Sequence, residues 1–590
     1  MLTLAPKSGL FAAVPALNLL LFAVGFCLPL ALVAQQVPVK EHVLSNGLKL
    51  LLVERHHAPN VAGGWVARVG SANERPGITG IAHLFEHMMF KGTPTLGTKD
   101  YKRDLEIIAD QERVRGLMRA EEAKMRAALR RGEIDDMLKP ENKTPRWREL
   151  EKEFQKLVEA QRQILVKNEF DRIYTANGGD HMNAYTTYDH TAYFITVPAN
   201  KLELFMWMES ERLLRPVFRE FYAERDVVFE ERRMRTESTP LGKFAEAFDS
   251  LFWESHPYGW PVIGWPSDIP AITKAQADEF YATYYAPQNL TLALVGDFAS
   301  PGALALAERY FGRIPRGKID PPEVVTLEQP QVAEKRFYAE AEANPMVDIY
   351  WHTPAFGHKD TYALDVLAQV LATQTGRLHK GLVLGGKLAT ETWARQAERK
   401  YAGEFNIGAD LAEGRSPDEV EKALYAEVQR LQSEPVPANE LQKVKNNFAV
   451  AEYRKLAANH PILMQLLAAE GVGDWTAINT AGPKYQAVTP EDIQRVARKY
   501  FTKENRAVGI YTRKPGGASD EGDLAGLNAQ QKAVARKMIS AINEGKDVPA
   551  LRKQLSDLEA QLVKAGPQAP PLMKLVQKKL RERIATLEKP

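Results

Sequence analysis

The sequence predicts an α+β protein built from two similar halves. In the first half, apolar and polar residues alternate from Val39 to Val53 around a turn at Asn46-Gly47, which is the pattern of a β-hairpin, and helical segments follow. Residues 273–289 and 489–505 repeat one another at a constant offset of 216 positions. In both copies a helix ends in paired aromatic residues, and an asparagine precedes an apolar strand. A proline-containing segment, Gly317 to Gln331, separates the halves.

Further segments complete the predicted organisation. The mixed-charge stretch from about 102 to 168 has helical spacing, so we expect an inserted helical hairpin, either a solvated surface feature or part of the rim of a substrate chamber. After Arg513 a linker leads into polar helical segments, which we expect to pack on the main body or on a partner. The predicted domains are 1–34 (signal peptide or anchor), 35–316 (first half), 317–335 (linker), 336–513 (second half) and 514–590 (linker and helical tail).

The N-terminal segment predicts export. Lys7 precedes a long apolar run, residues 10–34, that ends in small residues, as in a cleaved signal peptide; an uncleaved membrane anchor is the alternative. Cys27, the one cysteine of the chain, lies inside this run, so the mature chain would have neither disulfides nor thiolate ligands. We therefore predict a periplasmic location and expect any metal to be held by His, Asp or Glu.

The composition describes an ordinary folded protein and gives no reason to expect binding to nucleic acid. Apolar residues make up 45% and charged residues 26% of the 590-residue chain. That length is sufficient for about two to four domains. The formal net charge is +2, with no long block of one sign, so the charge gives no electrostatic case for a polynucleotide partner.

The pentapeptide His83-Leu84-Phe85-Glu86-His87 carries the strongest chemical signal. On a helix, His83 and His87 project from one face, and Glu86 stays close enough to reach a water on a metal that they hold. Two histidines on a helix are often only packed residues, but the apolar flanks predict a buried helix, where unpartnered polar groups are costly. The pattern therefore favours a hydrolytic zinc site.

A zinc site in a hydrolase usually takes three protein ligands, so the pattern requires a carboxylate from another helix. Glu224 and Glu231 are seven residues apart and share one helical face, whereas Glu230 is rotated by about 100°. By spacing alone, ordinary surface acids are equally consistent. In the second half the corresponding apolar helix, Tyr362 to Leu371, carries Asp365 but no histidine pair, so we predict that this half is non-catalytic.

Motifs across about residues 39–513 give the chain a family resemblance. They are Gly80 to Thr93, Asn183-Ala184-Tyr185-Thr186-Thr187, Glu224 to Glu231, and His256-Pro257-Tyr258-Gly259. With them the chain resembles the pitrilysin-type, inverted-zincin metallopeptidases, the group that includes insulin-degrading enzyme and the mitochondrial processing peptidase. The resemblance implies two α/β rolls, each an antiparallel sheet packed with helices, and a zinc-dependent endopeptidase that acts on peptides or unfolded segments.

The resemblance also implies roles for individual residues. It assigns five residues to the zinc chemistry and two to substrate binding. These are His83, His87 and Glu231 as ligands of one Zn²⁺ per chain, Glu86 as general base, Glu224 as a carboxylate that orients a ligand, and Asn183 and Ala184 as part of a strand that pairs with the substrate backbone.

One feature of the family is missing. Members usually carry an arginine and a tyrosine seven residues apart in the second half, and Val383 and Thr390 stand at those positions here. Either a related partner subunit supplies the pair in a heterodimer, or Arg377, Lys387 or Arg395 does the work. A binding or assembly subunit with the same fold is the alternative to a peptidase.

Overall fold

The computed structural model describes residues 36–514, 524, 527, 529–545, 547–566 and 570–588. The predicted signal or anchor segment, 1–34, lies outside these residues, as does most of the predicted linker after Arg513. None of the helices formed by the described residues is long and apolar enough to cross a membrane.

The first half forms a six-stranded sheet from β1 (Lys40–Val43), β2 (Lys49–Glu54), β3 (Asn60–Ala67), β4 (Asp180–Thr186), β5 (Thr191–Pro198) and β6 (Leu290–Gly296). The spatial order is β1-β2-β6-β3-β5-β4. β2 and β6 run parallel and the other neighbours antiparallel, so the sheet is mixed rather than wholly antiparallel. The parallel pair is possible because helices make a long connection between these strands.

The second half forms a five-stranded sheet from β7 (Lys335–Ala341), β8 (Met346–Thr353), β9 (Ala389–Ala397), β10 (Gly403–Leu411) and β11 (Arg506–Arg513). Its order is β7-β11-β8-β10-β9, and β10 pairs antiparallel with both of its neighbours. Two sheets, each with helices packed on it, confirm the predicted α+β class.

Helices connect and cover the strands of both sheets. Those of the first half are α1 (Ile81–Met88), α2 (Tyr101–Arg130), α3 (Pro145–Ile164), α4 (Glu169–Ala176), α5 (Leu202–Leu214), α6 (Phe221–Arg232), α7 (Gly242–Phe252), α8 (Lys274–Tyr284) and α9 (Ser300–Phe311). Those that follow are α10 (Thr361–Ala372), α11 (Pro417–Ser433), α12 (Ala438–Lys455), α13 (Asn459–Val472), α14 (Ala477–Ala487), α15 (Pro490–Tyr500), α16 (Ala529–Glu544), α17 (Val548–Ala565) and α18 (Pro571–Leu587).

The internal repeat corresponds to two structurally equivalent helix-to-strand units, α8 to β6 and α15 to β11. Each helix begins with a threonine whose side chain and the side chain three residues later form a capping box. At the other end, Asn289 Nδ2 donates to the carbonyl oxygen of Tyr284, and Asn505 Nδ2 donates to that of Tyr500, both at 2.8 Å. The repeated asparagine therefore makes the same hydrogen bond in both halves, where it joins the helix end to the strand.

The two halves exchange one helix each. On one face of the first sheet, α13 of the second half packs Ile462, Leu463, Leu466 and Leu467 against buried residues of β2, β3 and β6. In return, α7 of the first half packs on the second sheet, where the ring of Phe252 stacks on His352 of β8 at 3.8 Å between centroids. Each sheet is thus completed by a helix from the other half, as central strands buried on both faces require.

A buried ionic contact accompanies the exchange. Glu470 of α13 is fully buried, and its Oε1 accepts from Lys49 Nζ at 2.7 Å, from Arg68 Nη1 at 3.0 Å and from Thr291 Oγ1 at 3.0 Å. Lys49 and Thr291 lie on β2 and β6, and Arg68 follows β3. A single carboxylate of the second half therefore compensates two cations of the first half and binds one hydroxyl of its sheet.

The inserted segment folds as the predicted helical hairpin. Its two ends lie side by side, because Lys99 N donates to the carbonyl oxygen of Ile164 at 2.8 Å and Val166 N donates to that of Gly97 at 3.0 Å. Inside it, Gln161 Nε2 of α3 donates to Asp104 Oδ1 of α2 at 2.8 Å. Some polar residues of this mixed-charge segment are therefore buried between the two helices and bind each other there.

The described residues form two compact units, one within Met1–Phe337 and Met346–Ile510, the other within Tyr338–Pro345 and Tyr511–Pro590. The second unit contains α16, α17 and α18, which bury apolar residues against one another. Two small clusters hold these helices together: Leu524, Leu527, Ala535, Ile539 and Leu575; and Ile542, Leu551, Leu580 and Ile584.

We expect Glu470→Ala to lower the free energy of unfolding by about 3 kcal/mol, because it leaves two cations without their shared buried partner. Urea unfolding followed by tryptophan fluorescence measures the loss. Glu279→Ala, on the exposed face of α8, is the matched control and should change the unfolding free energy by less than about 0.5 kcal/mol. Equal midpoints for the two variants would contradict the role assigned to Glu470.

Candidate metal centre

Helix α1, which carries the histidine motif, begins at a tightly packed turn. Gly80, its N-cap, has a φ of 91°, and a Cβ atom there would lie 2.5 Å from the carbonyl oxygen of Ile263, so the position requires glycine. Glycine has no side chain to cap the helix. The buried carboxylate of Glu74 instead accepts from the N–H groups of Gly80 and Ala82, both at 2.8 Å. Burial raises the pKa of Glu74 well above its ordinary value despite these bonds.

The predicted ligands come together where α1 meets α6. His83 Nε2 lies 3.7 Å and His87 Nε2 3.4 Å from Glu231 Oε2. The three ligand atoms lie within 4.8 Å of one another, and in the described part of the chain they form the one group of three potential ligands this close. Glu230 is 60% exposed and pairs with Arg233 at 2.9 Å, so the geometry selects Glu231 on this helix.

The arrangement of donor atoms fits zinc. Ligand atoms about 2.1 Å from a tetrahedral zinc ion lie about 3.4 Å apart. The separations of 3.7 and 3.4 Å between Glu231 Oε2 and the two Nε2 atoms are close to this distance. His87 Nδ1 donates to Glu224 Oε1 at 2.9 Å, which fixes the ring and leaves Nε2 available as a ligand. His83 Nδ1 is buried and has no hydrogen-bond partner among the described residues. Glu224 is held in turn by Lys91 Nζ at 2.5 Å.

Burial and neighbouring charges give the site residues different protonation behaviour. Burial, together with the charges of His87 and Arg235, lowers the pKa of His83 to about 3, so its ring stays neutral, the form that binds metals. Burial also opposes protonation of His87, but the hydrogen bond from its ring to Glu224 and the charge of Glu224 outweigh this and raise its pKa. Although burial favours the neutral acid, His87 and Lys91 lower the pKa of Glu224 to about 2.

Glu86, the predicted base, lies on the same helix and is held by the edge strand of the first sheet. Thr186 Oγ1, at the end of β4, donates to Glu86 Oε2 at 2.7 Å. Burial raises the pKa of Glu86, although the hydrogen bond from Thr186 opposes the shift. A carboxylate with a raised pKa is suited to accept and return a proton near neutral pH.

A cavity of about 480 Å³ opens beside Glu86 and His87. Asn183 and Ala184 of β4 line this cavity, so the structure brings both predicted substrate-binding residues next to the predicted base. The return end of the hairpin, residues 165–170, forms another part of the wall. The insertion therefore borders the site and is more than a solvated surface feature.

The hairpin also braces α6 on the face opposite the ligand. Tyr222 is rotated by about 180° from Glu231 around the helix, and its hydroxyl donates to Glu112 Oε1 of α2 at 2.6 Å. The guanidinium of Arg115 lies 5.0 Å from the centre of the Tyr222 ring. Just before α6, the buried Arg219 pairs with Asp104 of α2.

The residues considered as substitutes for the missing pair lie elsewhere. Arg377 makes a bidentate ion pair with Glu440, at 3.0 and 2.9 Å, so two nitrogens of its guanidinium are already bound to this carboxylate. Arg395 is exposed on the edge strand β9, and Lys387 adopts a left-handed conformation with φ of 47° before that strand. Among the described residues, none of these three cations makes an ion pair with a predicted ligand.

Sequence reasoning missed two residues that contact the site. Arg235 Nη1 donates to Glu231 Oε1 at 2.8 Å, and Thr186 holds Glu86. The spacing of four residues between Glu231 and Arg235 on a helix was a usable signal. Thr186 belongs to a quoted motif, but its contact depends on how β4 approaches α1, which the sequence alone does not define.

Comparison with known families agrees with this geometry. Residues 49–112 and 164–264 match the family described as Insulinase (Peptidase family M16), and residues 271–448 match the Peptidase M16 inactive domain. The gap in the first match, residues 113–163, falls within the helical hairpin, so most of the hairpin lies outside the matched residues.

Individual relatives share the fold over most of the chain. The zinc protease PqqE of Helicobacter pylori is 25% identical over 485 residues, which cover 80% of this chain and 93% of the relative. A solved protease from Helicobacter pylori, 23% identical, superposes with a TM-score of 0.66 over 81% of this chain and 100% of its own. The periplasmic protease PqqL of Escherichia coli, 17% identical, superposes with a TM-score of 0.59 over 81% of this chain and 48% of its own.

We expect Glu224→Ala to weaken zinc binding by about 10- to 100-fold, because His87 loses the carboxylate that orients its ring. Competition with a chelator of known affinity measures the change. Glu220→Ala is the control, since Glu220 lies one turn earlier and contacts the same Lys91, at 3.6 Å. Zinc affinity that falls equally in both variants would contradict a specific role for Glu224.

Proposed function

Because the chain belongs to peptidase family M16, the insulinase-like, pitrilysin-type zinc proteases, we propose that it is a zinc-dependent endopeptidase that acts on peptides or unfolded segments. The observation that carries the proposal is the convergence of two imidazoles and one carboxylate within 4.8 Å, next to a second carboxylate on the same helix as the imidazoles. The donor set of two histidines and one glutamate is one that catalytic zinc sites use.

Each residue of the set has a role in this reaction. Zinc, when bound by His83, His87 and Glu231, supplies a Lewis acid that lowers the pKa of water and polarises the scissile carbonyl. Glu86 takes the proton of the attacking water and returns it to the leaving amine, and its hydrogen bond from Thr186 keeps it in place for both transfers. Glu224 orients the ring of His87.

We further propose that substrate binds as an added strand beside β4. This strand is at the end of the first sheet and borders the cavity that contains Glu86, so an extended peptide paired with it would pass the predicted base. Asn183 and Ala184 would contribute main-chain hydrogen bonds to that pairing. Main-chain pairing is indifferent to sequence, so selectivity would come from the walls of the cavity, including the hairpin end.

The absence of the arginine and tyrosine at Val383 and Thr390 supports a partnership. We propose that a related chain supplies this pair in a heterodimer, with the present chain as the zinc-holding subunit. The signal-like segment at residues 10–34 supports export to the periplasm, with retention as a membrane anchor as the alternative. Cell fractionation tests the location, and recovery of the chain in the cytoplasm would exclude export.

We expect Glu86→Gln to lower peptide hydrolysis by at least about 100-fold, because the amide cannot accept the proton of the attacking water. Zinc content should stay near one ion per chain, since Glu86 is not a ligand. Glu230→Gln, an exposed residue of α6, is the matched control and should keep full activity. A Glu86→Gln protein as active as the parent would end the proposal.

A catalytically weak binding or assembly subunit is the second candidate, favoured by the residues at Val383 and Thr390. The two functions are separated by assaying the zinc-loaded chain alone and after mixing with a related chain that carries the arginine and tyrosine. Hydrolysis only in the mixture supports the heterodimer. No hydrolysis in either preparation, with zinc bound, supports the binding subunit.

A further inference from the structure

The two oxygens of the Glu231 carboxylate have different partners. Oε2 lies 3.7 and 3.4 Å from the Nε2 atoms of His83 and His87, whereas Oε1 accepts from Arg235 Nη1 at 2.8 Å. The side chain of Glu231 is 13% exposed and that of Arg235 is 73% exposed, so the arginine covers the carboxylate from the solvent side. The contact divides the carboxylate into one oxygen for the ligand cluster and one for the guanidinium.

The turn that presents Arg235 is anchored in the fold. Arg235 lies in a π-helical turn, Arg233–Glu237, directly after α6, and such turns often occur at functional sites. The residue before the turn, Arg232, is buried and makes a bidentate ion pair with Glu246 of α7, at 2.7 Å through each nitrogen. The backbone that carries Arg235 is therefore held by α7.

We propose that Arg235 is a positioning residue that makes Glu231 a one-oxygen ligand. A carboxylate can bind a metal through one oxygen or both, and a charge-assisted hydrogen bond on Oε1 favours the first mode. One-oxygen binding leaves the fourth position of a tetrahedral site to water, which the reaction under the proposed function requires, and the inference rests on that function to this extent.

The test replaces Arg235 and reads the metal site directly. Arg235→Met removes the charge and the hydrogen-bond donors. Arg235→Lys keeps a positive charge without the planar guanidinium group, and Arg233→Met is the matched control. Arg233 lies in the same turn and pairs at 2.9 Å with Glu230, which is not a predicted ligand. Zinc affinity is measured by chelator competition, and the visible absorption of the Co²⁺-substituted protein reports the coordination number.

We expect Arg235→Met to weaken zinc binding by about 10-fold, as the loss of a hydrogen-bond partner of a metal ligand does. The Co²⁺ absorption intensity should fall, because binding through both oxygens of Glu231 adds a ligand to the tetrahedral site. Arg235→Lys should have a zinc affinity and an absorption intensity between those of Arg235→Met and the parent. Arg233→Met should match the parent in both. The unfolding midpoint of the metal-free protein should not change. Parent-like affinity and absorption in Arg235→Met would overturn the inference.

The outcome is separable from that of the proposed function. If the parent binds zinc but hydrolyses no peptide, even with a partner chain, the proposed function fails, and the affinities and spectra of the Arg235 variants still decide the role of Arg235. If the parent hydrolyses peptide and Arg235→Met has the metal site of the parent, only the inference about Arg235 fails.

Discussion

The first sheet depends on a helix that its own half does not supply. Its central strand β6 is buried along its whole length, so both faces need apolar cover, and α13 of the second half provides it on one of them. Glu470 makes this contact specific, because its buried carboxylate meets cations from two strands of the sheet. A separate first half would expose the apolar face and leave those cations without their partner, so the two halves form one structural unit.

This dependence gives the second half a structural role beside the candidate centre, although the three candidate ligands lie in the first half. The second sheet packs against α7, and Glu246 of α7 holds Arg232 at the end of α6. The turn that follows presents Arg235 to Glu231. The position of Glu231, the predicted third ligand, thus rests on a continuous series of contacts that begins in the second sheet. The second half contributes to the candidate centre by packing, and the three candidate ligands all belong to the first half.

The sequence defined the parts of the site that depend on local spacing. The histidine pair, Glu86 and the Glu224 to Glu231 face follow from helical periodicity, and the repeated threonine and asparagine positions identified equivalent units. Parts that depend on tertiary packing were not predictable in this way. The exchange of α7 and α13 and the parallel pairing of β2 with β6 join segments distant in sequence. Spacing alone also left Glu231 as a possible surface acid, and only the resemblance singled it out before the position of α1 was known.

The helical hairpin shows why composition misled one expectation. Its charges suggested a solvated element, yet Asp104, Gln111 and Gln161 are buried, because their polar groups bind one another or Arg219 just before α6. Since both ends of the hairpin meet beside Gly97, a long insertion here costs the rest of the fold little closure entropy. The insertion that separates the histidines from Glu231 along the chain also braces α6. The hairpin therefore lengthens the chain between the predicted ligands and at the same time supports α6, the helix that carries Glu231.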